Sequence, residues 1–483
     1  MTSMADARAE ARAEPLWLWD DLVRASGGVA DGAPAGHVTG FSLDTRALKR
    51  GDVFVALKDQ RDGHEFVEAA FEAGAAAALV SSAYVRRPGD GALIRVANTL
   101  AGLESIARAA RARLAPQARV IAVTGSVGKT GTTAMLRTCL ERLGATHAPE
   151  KSFNNHWGVP LTLARMPAFA DYAVIEIGMN HAGEITPLTR LSRPHVALIT
   201  TVEPVHLESF PSVEAIADAK AEILLGLEPG GTAILNRDNP HFQRLAAAAA
   251  RAAARIVSFG RHPEADVRPA RWDIGPDGSE IAVELSGRAY AFRLAAPGEH
   301  LAMNALGAAG ALWAAGVPLD AALPALGAFD PPQGRGARIM LQLPEGGSVL
   351  LIDESYNANP ASMRAALMTM SSLPRSEHPR RIAVLGDMRE LGLAAADLHR
   401  DLVSAIDEAG ADRVLASGPL MRNLFDALPQ QKQTAWAGEA EGLIGPLAGM
   451  LQAGDVVMIK GSNGSRSWRV AEALKKRFAA PAA

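Results

Sequence analysis

The chain has 483 residues, enough for about three domains at roughly 150 residues each, and 48% of them are apolar, so sizeable cores can form. A formal net charge of −3 argues against a general polyanion-binding surface, so nucleic acid is not an expected partner. Cys139 is the only cysteine, which excludes a disulfide within the chain and fits a reducing compartment.

The first 14 residues alternate Ala with Arg, Glu and Asp and lack an apolar core. They read as a frayed, disordered extension rather than a secretory signal. No uncharged apolar run approaches the length of a membrane span. The Ala-rich piece 245–256 carries Arg251 and Arg255 and reads as an ordinary helix. A cytoplasmic protein, working as a monomer, is the expectation.

Residues 15–115 pattern as a small α/β domain, with helices at 16–25, 64–73 and 100–114 and strands at 52–57, 76–80 and 92–96. Two polar clusters interrupt it, Ser42-Leu-Asp-Thr-Arg46 and Asp62-Gly-His64. Either cluster could be a turn closed by a surface ion pair or a recognition site for a polar or phosphorylated group.

The segment 119–130 then sets the organisation of the chain. A β-branched apolar run, Arg119-Val-Ile-Ala-Val-Thr124, breaks into Gly125-Ser126-Val127-Gly128-Lys129-Thr130, and helical spacing follows over 131–143. Strand, glycine-rich turn and helix make a phosphate cradle, in which backbone N–H groups and the helix N-terminus face an anion. Lys129 can reach outer phosphates, and the Thr130 hydroxyl can ligate Mg²⁺. The turn is shorter than the common pattern, because Val123 stands where an outer glycine would be expected.

The region 116–331 alternates strands (118–123, 172–177, 196–201, 232–235, 255–259) with helices, which implies a mostly parallel sheet. Polar residues near the strand ends are Glu176, His206 and, on the next helical stretch, Lys220. A carboxylate in an apolar strand needs a partner, and Glu176 could find it in Mg²⁺ or in an arginine. Residues 266–294 alternate like a small antiparallel insertion, and His300 and Asn304 lie one turn apart on a helix at 299–315. A Pro/Gly-rich joint, Phe329-Asp-Pro-Pro-Gln-Gly-Arg-Gly336, carries Arg335, either within a plain linker or as a cation that swings toward phosphates. Past it, 332–483 reads as a doubly wound α/β domain, with strands at 349–353, 381–387, 412–416 and 455–461 and a helix from 361. The fold class is therefore α/β in three domains: a central P-loop-type sheet between a small N-terminal α/β domain and a C-terminal Rossmann-like one.

Taken together and in order, these motifs resemble the Mur ligases, the ATP-dependent amide ligases that build the peptide stem of peptidoglycan. The resemblance rests on the 42–46, 51–57 and 62–66 runs, the cradle, Phe153-Asn-Asn-His-Trp-Gly-Val-Pro160, Glu176-Ile-Gly-Met-Asn180, Val205-His-Leu-Glu-Ser-Phe210 and Ala219-Lys-Ala-Glu-Ile223. It continues through 298–304, Gly334-Arg335, Asp353-Glu-Ser-Tyr-Asn-Ala-Asn-Pro360, Leu385-Gly-Asp-Met-Arg-Glu-Leu-Gly392 and Lys460-Gly-Ser-Asn-Gly-Ser-Arg466. Within the family, the Ser-Tyr-Asn-Ala-Asn-Pro run points to the member that adds D-alanyl-D-alanine to UDP-N-acetylmuramoyl-tripeptide. The Asp-Asn-Pro-Arg core expected of the diaminopimelate-adding type is absent. The first-domain loop Lys58-Asp-Gln-Arg-Asp-Gly lacks a glycine expected directly after the strand.

The resemblance implies a division of roles. ATP would lie against residues 125–130 with His300, Asn304, Arg335 and Asp353, and Lys129 and Arg335 would neutralise its phosphates. Thr130 and Glu176 would hold Mg²⁺, with His206 serving a second metal. Lys220 matches a position carbamylated in many members. Asn154 and Asn155 would face the muramoyl-peptide, and Ser42, Thr45, Arg46 and His64 the uridine diphosphate. Alternatives are a single-amino-acid-adding Mur-type ligase, a folylpolyglutamate synthase relative, and a nucleotide-gated binding module that makes no bond.

Overall fold

The computed structural model describes residues 15–150 and 152–479; the extension expected at 1–14 lies outside them. The first sheet runs Val29–Asp31, Ala92–Val96, Ala77–Ser81, Asp52–Val55, Gly40–Ser42, parallel except for the antiparallel first pair. The central sheet is parallel throughout, in the order Arg255–Phe259, Thr232–Asn236, Val196–Ile199, Arg119–Thr124, Tyr172–Glu176, Thr146–His147. Its middle strands are buried except for the half-buried Arg119 and Tyr172 at their starts, which is why they read as apolar runs. The strands after Arg119–Thr124 in the chain pair on opposite sides of it. That makes its carboxyl end a switch point, where a crevice opens for a ligand.

The insertion is an antiparallel meander, Arg268–Gly275, Gly278–Leu285 and Arg288–Leu294. In the third sheet Ala337–Gln342 pairs antiparallel with Ser348–Glu354, followed in parallel by Val456–Lys460, Arg381–Gly386, Arg413–Ser417 and Gln433–Ala437. The two edge strands, Ala337–Gln342 and Gln433–Ala437, were not among the expected elements. Both are largely exposed or half-buried, and their apolar runs, Ile339-Met340-Leu341 and Ala435-Trp436-Ala437, are only three residues long.

Four helix expectations shift. The helix expected over 16–25 runs Trp19–Ser26, because Trp17 bridges to Val38 instead, and the Ala-rich one expected over 245–256 runs Phe242–Arg251, ahead of the strand Arg255–Phe259. The helix after the cradle starts at Lys129 and ends at Leu140, because Gly128 at φ 87° turns the chain directly into it. The expected helix at 64–73 opens as a 3-10 turn, Gly63–Phe66, in which the Asp62 side chain caps the His64 N–H, and becomes α-helical only over Val67–Glu72.

One apolar core runs continuously from the first domain into the central one. Trp17, Leu22, Leu103 and Ile106 pack in the same cluster as Val120, Leu161 and Ile175. Arginines tie the two together. Arg113 lies over the Trp17 ring at 3.7 Å and donates to the Leu16 and Met166 carbonyls, and Arg165 donates to the Phe41 carbonyl. The third domain holds its own two clusters, around Leu367 and around Val384.

Candidate active site

The cradle is built by two close approaches. Gly125 (φ 149°) passes so near Thr200 that a Cβ there would lie 1.9 Å from the hydroxyl, and one on Gly128 would lie 2.6 Å from Asn304 Oδ1. Only glycine fits these positions. The Thr200 hydroxyl donates to the Val127 carbonyl at 2.5 Å and so turns that oxygen away from the loop mouth. Ser126 is spent on structure: its N–H bonds the Thr201 carbonyl, and its hydroxyl joins the Glu203 backbone. Among the described residues, the N–H groups of Val127, Gly128, Lys129 and Thr130 make no turn or cap bond. Four donors at a helix N-terminus are the elements of an anion site.

The Lys129 ammonium donates to the Gly125 carbonyl at 2.7 Å. Burial holds it below the ordinary lysine range, the Glu176 charge pulls it back up, and Arg335 pushes it down again. Glu176, at the carboxyl end of its strand, is 1% exposed. Its Oε1 accepts from Asn154 Nδ2 at 2.7 Å, and its Oε2 has no hydrogen-bond partner among the described residues. A buried carboxylate oxygen left open beside a phosphate cradle suits a divalent cation. Thr130 offers a hydroxyl close by, in contact with Ser152 at 3.2 Å. Among the described residues no group of three His, Cys, Asp or Glu gathers to hold a metal, so such a cation would take its remaining ligands from phosphate and water.

The third domain reaches the same place. Arg335 donates to Ser152 at 3.2 Å, and its guanidinium lies 4.4 Å over the Tyr356 ring. Gly334 at φ 73° allows that approach. Thr130, Ser152 and Arg335 thus form one hydrogen-bonded chain across the domain boundary. His206 is a second crossing, its Nδ1 lying 2.5 Å from Glu390 Oε2. The Asp353 carboxylate is buried and fully engaged by Ser355 and by Lys475 at 2.6 Å. It therefore shapes the wall next to Arg335 rather than presenting a free oxygen.

A cavity of about 590 Å³ joins these groups, with Ser126–Lys129, Glu176, His206, His300, Asn304 and Arg335 on its wall. A second, of about 550 Å³, lies on the far side of Arg335 and takes in Thr130, Glu150, Asp353 and Trp468. Lys220 is 2% exposed. Burial, with the charge of Lys129 second, holds its amine well below the ordinary lysine range. Burial also lowers His300.

The first-domain candidates stand apart from both cavities. Arg46 grips Asp44 at 2.7 Å on the surface, and the Ser42 hydroxyl closes the same turn. Thr45 sits half-buried beside it. His64 accepts from the Ser81 N–H at Nε2, so its proton is on Nδ1 and faces Asp62 at 2.6 Å. Asn155 is a local cap, accepting from the Gly158 N–H at 2.9 Å, while its neighbour Asn154 orients Glu176.

Family models match two stretches, the Mur ligase middle domain over 123–312 and the Mur ligase glutamate ligase domain over 340–463. The UDP-N-acetylmuramoyl-tripeptide–D-alanyl-D-alanine ligase of Bacillus subtilis is 33% identical over 433 residues, covering 89% of this chain and 91% of that one. The chain belongs to the Mur ligase family. The Escherichia coli ligase of the same name is 37% identical, over 78% of this Mur ligase and 80% of its own length. Among solved structures, MurF from Acinetobacter baumannii superposes with a TM-score of 0.82 at 29% identity, covering 96% of this chain and 99% of that one. MurF of Thermotoga maritima, solved with ADP, shares the fold with a TM-score of 0.74 at 24% identity, over 91% of this chain and 98% of its own.

Sequence reasoning assigned no role in this Mur ligase to Ser152, Thr200, Glu354 or Lys460, although Glu354 and Lys460 lie within runs that carry the resemblance. Lys460 is buried and bonds Glu354 at 3.2 Å and the Asn357 carbonyl at 3.0 Å on the cavity wall. Its signal was an apolar strand ending in a lysine, Val456–Lys460. Ser152 and Thr200 carried none, since single hydroxyls act only through their position.

Proposed function

We infer that the protein is an ATP-dependent, ADP-forming peptide ligase that joins D-alanyl-D-alanine to UDP-N-acetylmuramoyl-tripeptide in peptidoglycan precursor synthesis. Its named relatives support the substrates. The observation that carries the chemistry is the Thr130–Ser152–Arg335 chain, which brings a third-domain cation to the phosphate cradle.

In the first step an oxygen of the tripeptide carboxylate attacks the γ-phosphorus. An acyl phosphate forms and ADP leaves. In the second, the dipeptide amine attacks the acyl carbon, loses a proton and expels phosphate. Two anions must meet in the first step, so charge neutralisation and positioning dominate catalysis. Free N–H groups of the loop receive the phosphates, Lys129 and Arg335 bring positive charge to the β and γ oxygens, and Asn304 with His300 lines the nucleotide side. Asn154 fixes the rotamer of Glu176. Mg²⁺, held by Thr130 and Glu176, would supply further charge neutralisation. His206 would serve a second metal, and a carbamate on Lys220 would turn a buried neutral amine into an anion.

The functional units proposed are 15–115 for the UDP-sugar, with Ser42, Thr45, Arg46 and His64, then 116–331 for ATP. The unit 332–483 closes over ATP and binds the amine. A cytoplasmic monomer fits this role, and among the described residues no helix is long and apolar enough to cross a membrane.

The test is ADP and product formation with ATP, Mg²⁺, the tripeptide precursor and D-Ala-D-Ala, leaving out each in turn. Turnover should require all four. Equal turnover with a single amino acid would overturn the choice of amine, and acceptor-independent hydrolysis would overturn ligation.

A further inference from the structure

Resting on that ligase reading, the cavity wall shows one charge without a task. Four Lys or Arg side chains line the larger cavity: Lys129, Arg335, Arg389 and Lys460. Lys129 donates to the Gly125 carbonyl, Arg335 to Ser152, and Lys460 to Glu354 and the Asn357 carbonyl. Arg389 is exposed, and its guanidinium has no hydrogen-bond or ion-pair partner among the described residues.

The carboxylates around it are already committed. Glu390 faces His206, Asp387 accepts from the Met421 N–H at 2.7 Å, and Glu354 faces Lys460. The backbone beneath Arg389 is fixed, because its N–H donates to the Ser462 hydroxyl at 3.0 Å. Its guanidinium lies flat against Gly464, so closely that a Cβ there would fall 2.7 Å from Nη1. The position is therefore a held cation on the cavity wall, whose charge is felt by Asp387 and Glu390 but which pairs directly with neither.

The incoming dipeptide is a zwitterion. Its amine must reach the acyl carbon beside the cradle, and its carboxylate must trail away from the phosphates, which repel it. Two extended residues span about 7 Å, so the trailing carboxylate must be met near the site, on the amine-binding side. Arg389 qualifies, because its neighbour Glu390 touches His206 on the central domain.

We propose that Arg389 receives the C-terminal carboxylate of D-alanyl-D-alanine and so imposes the free-acid requirement on the amine substrate. A charge-assisted pair of this kind is worth about 10- to 100-fold in kcat/KM.

The test compares D-alanyl-D-alanine with D-alanyl-D-alanine amide, in wild type, Arg389→Lys and Arg389→Ala, with ATP, Mg²⁺ and the tripeptide precursor saturating. Wild type should favour the acid about 10- to 100-fold, Arg389→Lys should keep part of that preference, and Arg389→Ala should treat acid and amide alike. KM for ATP and for the precursor should stay within about twofold, which a general distortion of the site would not allow. An Arg389→Ala enzyme that still discriminates like wild type overturns the proposal while leaving the ligase reading intact. A wild type that turns over single amino acids and rejects the dipeptide overturns both.

Discussion

Glu176 and Lys220 are the two residues whose environment most constrains their role. Glu176 is buried with one oxygen satisfied by Asn154 and one open. Glu176→Gln keeps the shape and can keep the Asn154 contact, but removes the charge a cation needs. Turnover should fall about 10²- to 10³-fold, as for loss of one electrostatic stabiliser, and the Mg²⁺ concentration for half-maximal rate should rise. An unchanged Mg²⁺ titration would remove Glu176 from the metal site. Lys220 is buried beside the Lys129 charge, which favours the neutral amine, the nucleophile that attacks carbon dioxide to form a carbamate. Lys220→Ala should be inactive and regain part of its rate with added short carboxylates. Full activity without them would end the carbamate idea.

At the level of elements, the strands that position the site were legible because they are buried on both faces. Val120–Val123 is apolar up to the approach to the cradle and Ala173–Ile175 is apolar up to Glu176, so the departure from pattern marks the site. The first-domain clusters were less telling. Asp44 with Arg46, and Asp62 with His64, obey ordinary turn and cap chemistry in the structure, and the same residue types would serve a ligand. Another link was invisible in sequence: His195 accepts the Val120 N–H at Nδ1 while its own N–H bonds the Val120 carbonyl, stitching the strand Val196–Ile199 to Arg119–Thr124. Burial, with Arg111 and Arg119 nearby, pushes His195 down to about 4. Desolvation also pushes the half-buried His147, which donates to the Thr162 carbonyl, to about 4. The unfolded chain protonates these rings near 6.5, so below that pH it binds more protons than the folded protein. Stability should fall as pH drops from about 6.5 to about 4, by at most about 3 kcal/mol per histidine. Melting temperatures at pH 7.5 and 5 should show it, and His195→Gln, which can still accept the Val120 N–H, should lessen the drop. An identical drop in that variant would rule out His195 as a contributor.

Over the whole molecule, the distribution of apolar cores predicts two cooperative units from three domains. The first and central domains share one continuous cluster, stitched by Arg113 and Arg165, whereas the third domain's clusters are its own. Its polar crossings to the rest include Arg335–Ser152, His206–Glu390 and Arg338 with the Pro276 carbonyl. Polar contacts of that kind can break and re-form as substrates pass, while a shared apolar core resists separation. This arrangement predicts that the third domain is the body that moves, with Arg335 returning to the cradle in each cycle. Core truncations on either side test this. Leu103→Ala, in the shared core, should cost about 2–5 kcal/mol and lower the calorimetric transition of the first two domains. Leu367→Ala, in a third-domain core, should lower a separate transition and leave the first in place. ADP with Mg²⁺, bound between the units, should bring the two transitions together. If either truncation shifted a single common transition without ligand, the three domains would unfold as one body, and closure would have to arise within the third domain rather than at its joint.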